Sequence, residues 1–254
     1  MSLSLLKKML GQSPLWSIWL VFLLISSIWV ALYVHQFFDY GFSIWYHLLD
    51  IHQHIQFFAP QNYYKDDFAQ LTHDIYIDLF SQISWAVNHG GAGLADIRYT
   101  IGNETRLLLR QPEVIHLQDV ADLIDRVNIF GILAVITLGG LTSILIRREV
   151  TFSWVAVVSQ LLAIISLLVI SLFIIGPKTV FYWLHIALFP AENQWFFYYQ
   201  ESLMATLMKA PDLFAGIAAS VAVLAIGLLI MTCLAIFYWF KHRVRHSNQN
   251  GAAI

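Results

Sequence analysis

Two histidines in this 254-residue chain stand where they could share one reaction. Imidazole titrates near neutral pH, so a histidine pair can serve as general base and general acid together. His116 lies about ten residues before one long apolar stretch, and His185 about nine residues after the next. Asp119 follows His116 by three residues, on the same face of a helix. A carboxylate there can orient the ring and stabilise its charged form, or be an ordinary solvated residue. Glu113 and Glu201 are further carboxylates with the same two readings, catalysis or exposed charge. Of the ten histidines, His242 and His246 sit in a basic tail. His52 and His54 are two apart, point to different sides of a helix, and read as surface residues rather than ligands. No Gly-rich phosphate loop, His-Glu-x-x-His or Gly-x-Ser-x-Gly is present. One cysteine excludes a disulfide framework and a thiolate zinc cluster.

The elements that must position these residues are membrane helices. The chain is 59% hydrophobic and only 12% charged, about half the charge fraction of soluble domains. That excludes a soluble enzyme, a disordered tail and a nucleic-acid binder built on a basic surface. Four stretches have the roughly 20 apolar residues needed to cross a bilayer. They run over 15–34, 127–146, 152–176 and 213–240, and their cores hold no Asp, Glu, Lys or Arg. The first has no small-x-small cleavage site and reads as an uncleaved anchor.

Charge gives the direction. Lys7 and Lys8, Arg147 and Arg148, and Lys241, Arg243 and Arg245 fall on one side of a four-span chain, which is therefore cytoplasmic. The expected plan has a cytoplasmic N-terminus (1–14), an outer segment (35–126), a cytoplasmic turn (147–151), a second outer segment (177–212) and a cytoplasmic tail (241–254). Inside, seven basic residues face only Glu149, giving +6; outside, seven basic face fifteen acidic, giving −8. The topology places His116 and His185 at the same outer boundary. An acidic outer face argues for substrate entering sideways from the bilayer rather than docking on anionic headgroups.

The first outer segment is long enough for a small cap. Ile44, Leu48, Ile55 and Phe58 predict one amphipathic helix, and Phe68, Leu71, Ile75 and Leu79 another, both suited to the interface plane. His89-Gly90-Gly91-Ala92-Gly93 is a break. Strands over 96–101 and 104–109 flank Gly102-Asn103, a hairpin turn. Pro112 suits a helix first turn, and Leu117, Val120, Ala121 and Ile124 form its apolar stripe. Between Phe181 and Tyr199, nine of nineteen residues are aromatic. They read as an interfacial belt, as the wall of a pocket, or as both. The fold class expected is a membrane α-helical protein: four transmembrane helices with an extracytoplasmic cap of amphipathic helices and a small β element.

Glu113-Val114-Ile115-His116-Leu117-Gln118-Asp119-Val120 resembles the Glu-x-x-His-(Leu/Met)-x-Asp-Val signature of the lipoprotein intramolecular transacylases. Phe181-Tyr182-Trp183-Leu184-His185, with Phe189 and Asn193-Gln194-Trp195, resembles that family's second block. Glu201-Ser202-Leu203 through Pro211-Asp212-Leu213-Phe214 matches the end of that block loosely. The motifs cover about 113–126 and 181–214; span count and block order also agree. Two features depart from the family: the first outer segment is longer and richer in histidine, and Ala121 stands where a Lys is common.

The resemblance implies four transmembrane helices under an extracytoplasmic cap, in a bacterial cytoplasmic membrane. It implies acyl transfer from the sn-2 glyceryl ester of a diacylglyceryl-modified lipoprotein to the amine of its N-terminal cysteine, giving an N-acyl lyso-form. His116 and His185 map onto the two catalytic histidines. Asp119, Glu113, Trp195 and Glu201 are expected to support them. Phe181, Trp183, Phe189, Trp195 and Tyr198 are expected to bind substrate beside bilayer lipids. His116, beside Asp119, is assigned the base role and His185 the acid role, a division the sequence itself leaves open. No metal or organic cofactor is needed. The rivals are a bis-His haem protein, an intramembrane protease, and a non-enzymatic scaffold or sensor. The second to fourth span cores lack histidine, and the spans lack an Asp pair, a Ser-His pairing or a zinc motif.

Overall fold

Long apolar runs without proline or charge favour long helices, and the computed structural model is mostly helical. The structure describes residues 14–148, 150 and 153–251. Lys7, Lys8 and Glu149 of the expected charge pattern lie outside the described residues, as do the side chains of Arg243, Arg245 and His246. In chain order the helices are α1 (Pro14–His35), α2 (Phe42–Leu48), α3 (Ile51–Phe58), α4 (His73–Val87), α5 (Gln111–Arg147), α6 (Trp154–Ile175), α7 (Pro177–Leu188), α8 (Leu203–Met208) and α9 (Asp212–Gly251). Strands β1 (Arg98–Ile101) and β2 (Glu104–Leu107) stand between α4 and α5. Four helical stretches are long and apolar enough to cross a membrane: Pro14–Leu48, Gln111–Arg147, Trp154–Ile175 and Asp212–Trp239.

The described chain divides into two units. One comprises 14–30, 130–180 and 223–251. Its core holds Trp16, Trp19, Leu20, Leu23, Leu145 and Val157. The Trp19 indole donates to Thr142 Oγ1 at 2.8 Å, and the Gln160 amide donates to Ser17 Oγ at 3.0 Å. Each bond satisfies a polar group inside an apolar bundle. Ser153 caps α6 by accepting from the Ala156 N–H, and Gly176, at φ +84°, ends it. Phe173 of α6 is 89% exposed, and Leu167, Leu168 and Ile174 are also exposed. Such a helix is costly in water and at home in lipid.

The second unit comprises 31–129 and 181–222. Its core joins Phe42 and Tyr46 to Ile51, Ile55, Phe68, Tyr76, Leu79, Leu117, Ala121, Leu203 and Leu207. The hairpin is antiparallel with Ile101 opposite Glu104, and Gly102 turns at φ +58°. The strands are two residues shorter at their outer ends than the sequence suggests. Asp96 instead closes a 3-10 turn over Leu94–Asp96.

The first expected amphipathic helix differs more. Asp50 adopts φ +50° and splits it into α2 and α3. The split changes the phase of the stripe: Phe42 and Tyr46 face the core, while Ile44 and Leu48 are exposed. The second begins only at His73, because Phe68–Gln70 forms a 3-10 turn. The amphipathic start of α5 runs unbroken into its apolar stretch from Val127 onward. Nothing in the residues around 124–127 interrupts helical hydrogen bonding.

Candidate active site

The N-terminal turn of α5 is set by a buried carboxylate. Glu113 Oε2 accepts the Arg110 backbone N–H at 2.6 Å, a reach-back that satisfies one orphan donor of the helix start. Its Oε1 accepts Ser202 Oγ at 2.5 Å and the Met204 N–H at 3.4 Å. Ser202 in turn caps α8 by accepting the Ala205 N–H at 2.9 Å. Glu113 is fully buried. Burial pushes its carboxyl above the usual range, opposed by the Ser202 and Arg110 hydrogen bonds and by the charges of Arg110 and Lys65.

One turn further, in the charged part of α5 that precedes its apolar stretch, stands His116. Its ring faces that of His185, with centroids 6.4 Å apart and planes 28° apart. Phe189 lies 5.2 Å and Phe197 5.9 Å from the His116 ring. Its Nδ1 is buried with no hydrogen-bond partner among the described residues. Burial takes its pKa down to about 4; His185 adds to this effect and the Asp119 charge opposes it.

His185 comes from α7, where Phe181, His185 and the following Phe189 are spaced four apart and fall along one face. Its Nδ1 lies 2.8 Å from the Phe181 carbonyl oxygen. A carbonyl can only accept, so Nδ1 carries the hydrogen and Nε2 keeps a lone pair. Phe181 packs at 4.0 Å, Trp195 at 4.8 Å and Phe189 at 5.2 Å from the ring. Burial lowers the His185 pKa, opposed by the Phe181 hydrogen bond. Burial in this aromatic cage thus disfavours the charged form of both imidazoles.

The remaining expected residues are dispersed around this cage. The Asp119 carboxylate accepts from Asn193 Nδ2 at 2.7 Å, and it acts on His116 through charge. Trp183 and Tyr198 are 58% and 61% exposed. The Tyr198 ring packs 5.2 Å from Phe196. Glu201 donates its backbone N–H to the Tyr198 carbonyl at 2.9 Å, and it lines a small recess with Lys65 and Arg110. His52 Nδ1 meets the Tyr46 hydroxyl at 3.0 Å, while His54 stands edge-on to Tyr199 at 4.4 Å. The two do point to different sides of α3. Among the described residues, no group of three or more His, Cys, Asp or Glu is placed to hold a metal ion.

Three contributors were not singled out by sequence reasoning. Phe197 was one aromatic among nine. Asn193 was visible only as part of a motif. Ser202 had the signature of a helix cap, a Ser just before an apolar run, but nothing local pointed to a buried Glu113 as its acceptor.

No curated protein and no solved structure matches the chain. The family model described as "Lipoprotein intramolecular transacylase Lit" matches residues 14–211, a stretch that contains both histidines and the whole cage. With that match over most of its length, the chain belongs to the lipoprotein intramolecular transacylase family and is an acyltransferase acting on lipoproteins.

Proposed function

We propose that this enzyme moves the acyl chain from the sn-2 glyceryl ester of a diacylglyceryl lipoprotein to the amine of its N-terminal cysteine. The product is an N-acyl lyso-lipoprotein. The observation that carries this reading is the pair of imidazoles, His116 and His185, facing each other at 6.4 Å inside an aromatic cage. The charge pattern of the sequence supports a cytoplasmic-membrane protein with both termini inside and the pair at the outer face.

The proton balance suits two neutral bases. In passing from ammonium to amide, the cysteine nitrogen sheds two protons. The glyceryl oxygen, leaving as the C–O bond breaks, takes one of them. The other goes to solvent. One imidazole takes the first proton and returns it to the departing oxygen. The second takes a proton from nitrogen as the new C–N bond forms. Burial disfavours the ammonium as it disfavours imidazolium, so donor and acceptor are matched.

The fixed tautomer of His185 leaves its Nε2 lone pair free, and this favours His185 as the base at nitrogen. His116 then carries the proton to the glyceryl oxygen, reversing the division expected from the proximity of Asp119. Nucleophile and ester belong to one molecule, so proximity supplies much of the rate. Phe181, Phe189, Trp195 and Phe197 exclude water that would otherwise hydrolyse the ester. The test is replacement of His116 or His185 by Ala in a strain without other N-acylating activity. Mass spectra of the lipoprotein N-terminus should show the lyso-form lost, and full production in either variant would overturn the assignment.

A further inference from the structure

We propose that Asp119 and Asn193 are positioning residues, forming a strut that holds the cover of the site over the two histidines. This rests on the histidine pair being the catalytic centre. Asp119 is three residues beyond His116 on α5, about 4.5 Å further along the axis. Asn193 is eight residues beyond His185 and two before Trp195. The 2.7 Å bond between their side chains therefore joins the element that carries one histidine to the loop that follows the other. The Asn193 backbone is itself held by a turn, its N–H donating to the Pro190 carbonyl at 3.1 Å. The amide is presented to Asp119 rather than left to find it.

What the strut holds follows from the chain beyond it. Trp195 packs on His185 at 4.8 Å, and Phe197 packs on His116 at 5.9 Å. The segment from 193 to 197 thus covers both rings. Its far end is anchored separately, by Ser202 on Glu113. Glu113 and Asp119 lie three residues before and three residues after His116. The covering segment is tied to α5 on both sides of the catalytic ring, at Asp119 by one charge-assisted hydrogen bond.

Exchanging the partners tests this. In Asn193→Asp, two carboxylates meet where one bond was, and kcat should fall about a hundredfold. In Asp119→Asn, an amide oxygen can still accept, and the loss should stay under about tenfold. The double exchange, Asp119→Asn with Asn193→Asp, reverses the bond and should return kcat to within about tenfold of the wild type. The Asn193→Asp enzyme should also regain activity as pH falls, because a carboxylate pair that shares one proton can bond again. A loss of general stability would not produce that profile.

The measurements use full-length protein in lipid nanodiscs with a synthetic diacylglyceryl lipopeptide. The strut is overturned if Asn193→Asp keeps wild-type kcat. It is also overturned if the double exchange is no better than Asn193→Asp, or does not accumulate, since the charge of Asp119 would then be needed for itself. His116→Ala, assayed alongside, separates the two ideas. An active His116→Ala would defeat the catalytic reading, whereas an inactive one beside a fully active Asn193→Asp would defeat only the strut.

Discussion

His185 donates its Nδ1 hydrogen to the carbonyl of Phe181, one helical turn earlier, at 2.8 Å. The bond fixes the tautomer and ring angle before substrate arrives. Its cost is small, because it uses a carbonyl on the ring's own helix. Its effect is to leave Nε2 as the only basic atom of that ring.

The first prediction concerns pH. Catalysis by neutral imidazoles should fail only when they are protonated. Burial holds His116 at about 4 and lowers His185. An ordinary imidazole, at about 6.5, would be mostly charged at pH 6. The acid limb of the wild-type kcat profile should therefore lie below that of an ordinary imidazole. For stability the sign is the same. A histidine whose folded pKa is depressed contributes fully above its unfolded pKa, and the contribution is lost as pH falls toward the folded value. A kcat profile with its acid inflection at 6.5 or above would count against neutral, buried imidazoles.

The second prediction concerns Glu113. Replacing it with Ala removes the acceptor of Ser202, of the Arg110 N–H and of the Met204 N–H. Leaving buried donors unpaired costs roughly 1–3 kcal/mol. Gln in its place can accept the Arg110 N–H through oxygen and donate to Ser202 Oγ through nitrogen, losing only the long 3.4 Å contact from the Met204 N–H. Burial raises the Glu113 carboxyl and so disfavours its charge, which lessens what an uncharged amide gives up. Glu113→Gln should melt close to the wild type in detergent, and Glu113→Ala several degrees lower. Equal melting of the two variants would show that the network adds nothing.

Four long apolar helices and the hairpin at Gly102-Asn103 were readable in the sequence because each has a local signature. An apolar run and a turn dipeptide speak for themselves, whereas His116 and His185 stand out among ten histidines only by their place beside the apolar stretches. The helix α7 was hidden because its aromatics satisfy a membrane-belt pattern just as well, although Phe181, His185 and Phe189 have helical spacing. The partners of Asp119 and Glu113 were hidden for a different reason. Asn193 and Ser202 lie 74 and 89 residues away. Only the packing of α5 against the 193–204 segment decides which carboxylate meets which donor. Trp183 and Tyr198, aromatic like Trp195 and close to it in sequence, turn outward for the same reason.

The third prediction compares two glycines of α5. A Cβ on Gly131 would overlap the Trp29 indole, whereas one on Gly139 meets nothing within 4 Å. The indole is rigid and close to its own backbone, so relief requires α1 to move. Gly131→Ala should lose about 1–3 kcal/mol, the usual cost of overpacking. Gly139→Ala should be neutral or slightly stabilising, as Ala is in a helix. Thermal melting in detergent reads the order directly, and the reverse order would exclude this packing of α1 on α5.

The last prediction separates shielding from binding in the cage. Trp195 packs on His185 at 4.8 Å and on Tyr182 at 5.5 Å. If its role is to keep the reacting ester dry, removing it should do more than slow the transfer. Water should then compete with the amine for the same carbonyl, because on the proposed mechanism imidazoles that activate the amine would activate water as well. Trp195→Ala should therefore release free fatty acid alongside a reduced yield of N-acyl product. Trp195→Phe keeps an aromatic face over His185 and should give little hydrolysis. Both products are read by mass spectrometry of one reaction. A Trp195→Ala enzyme that is slow yet releases no fatty acid would point to substrate binding alone as the role of this ring.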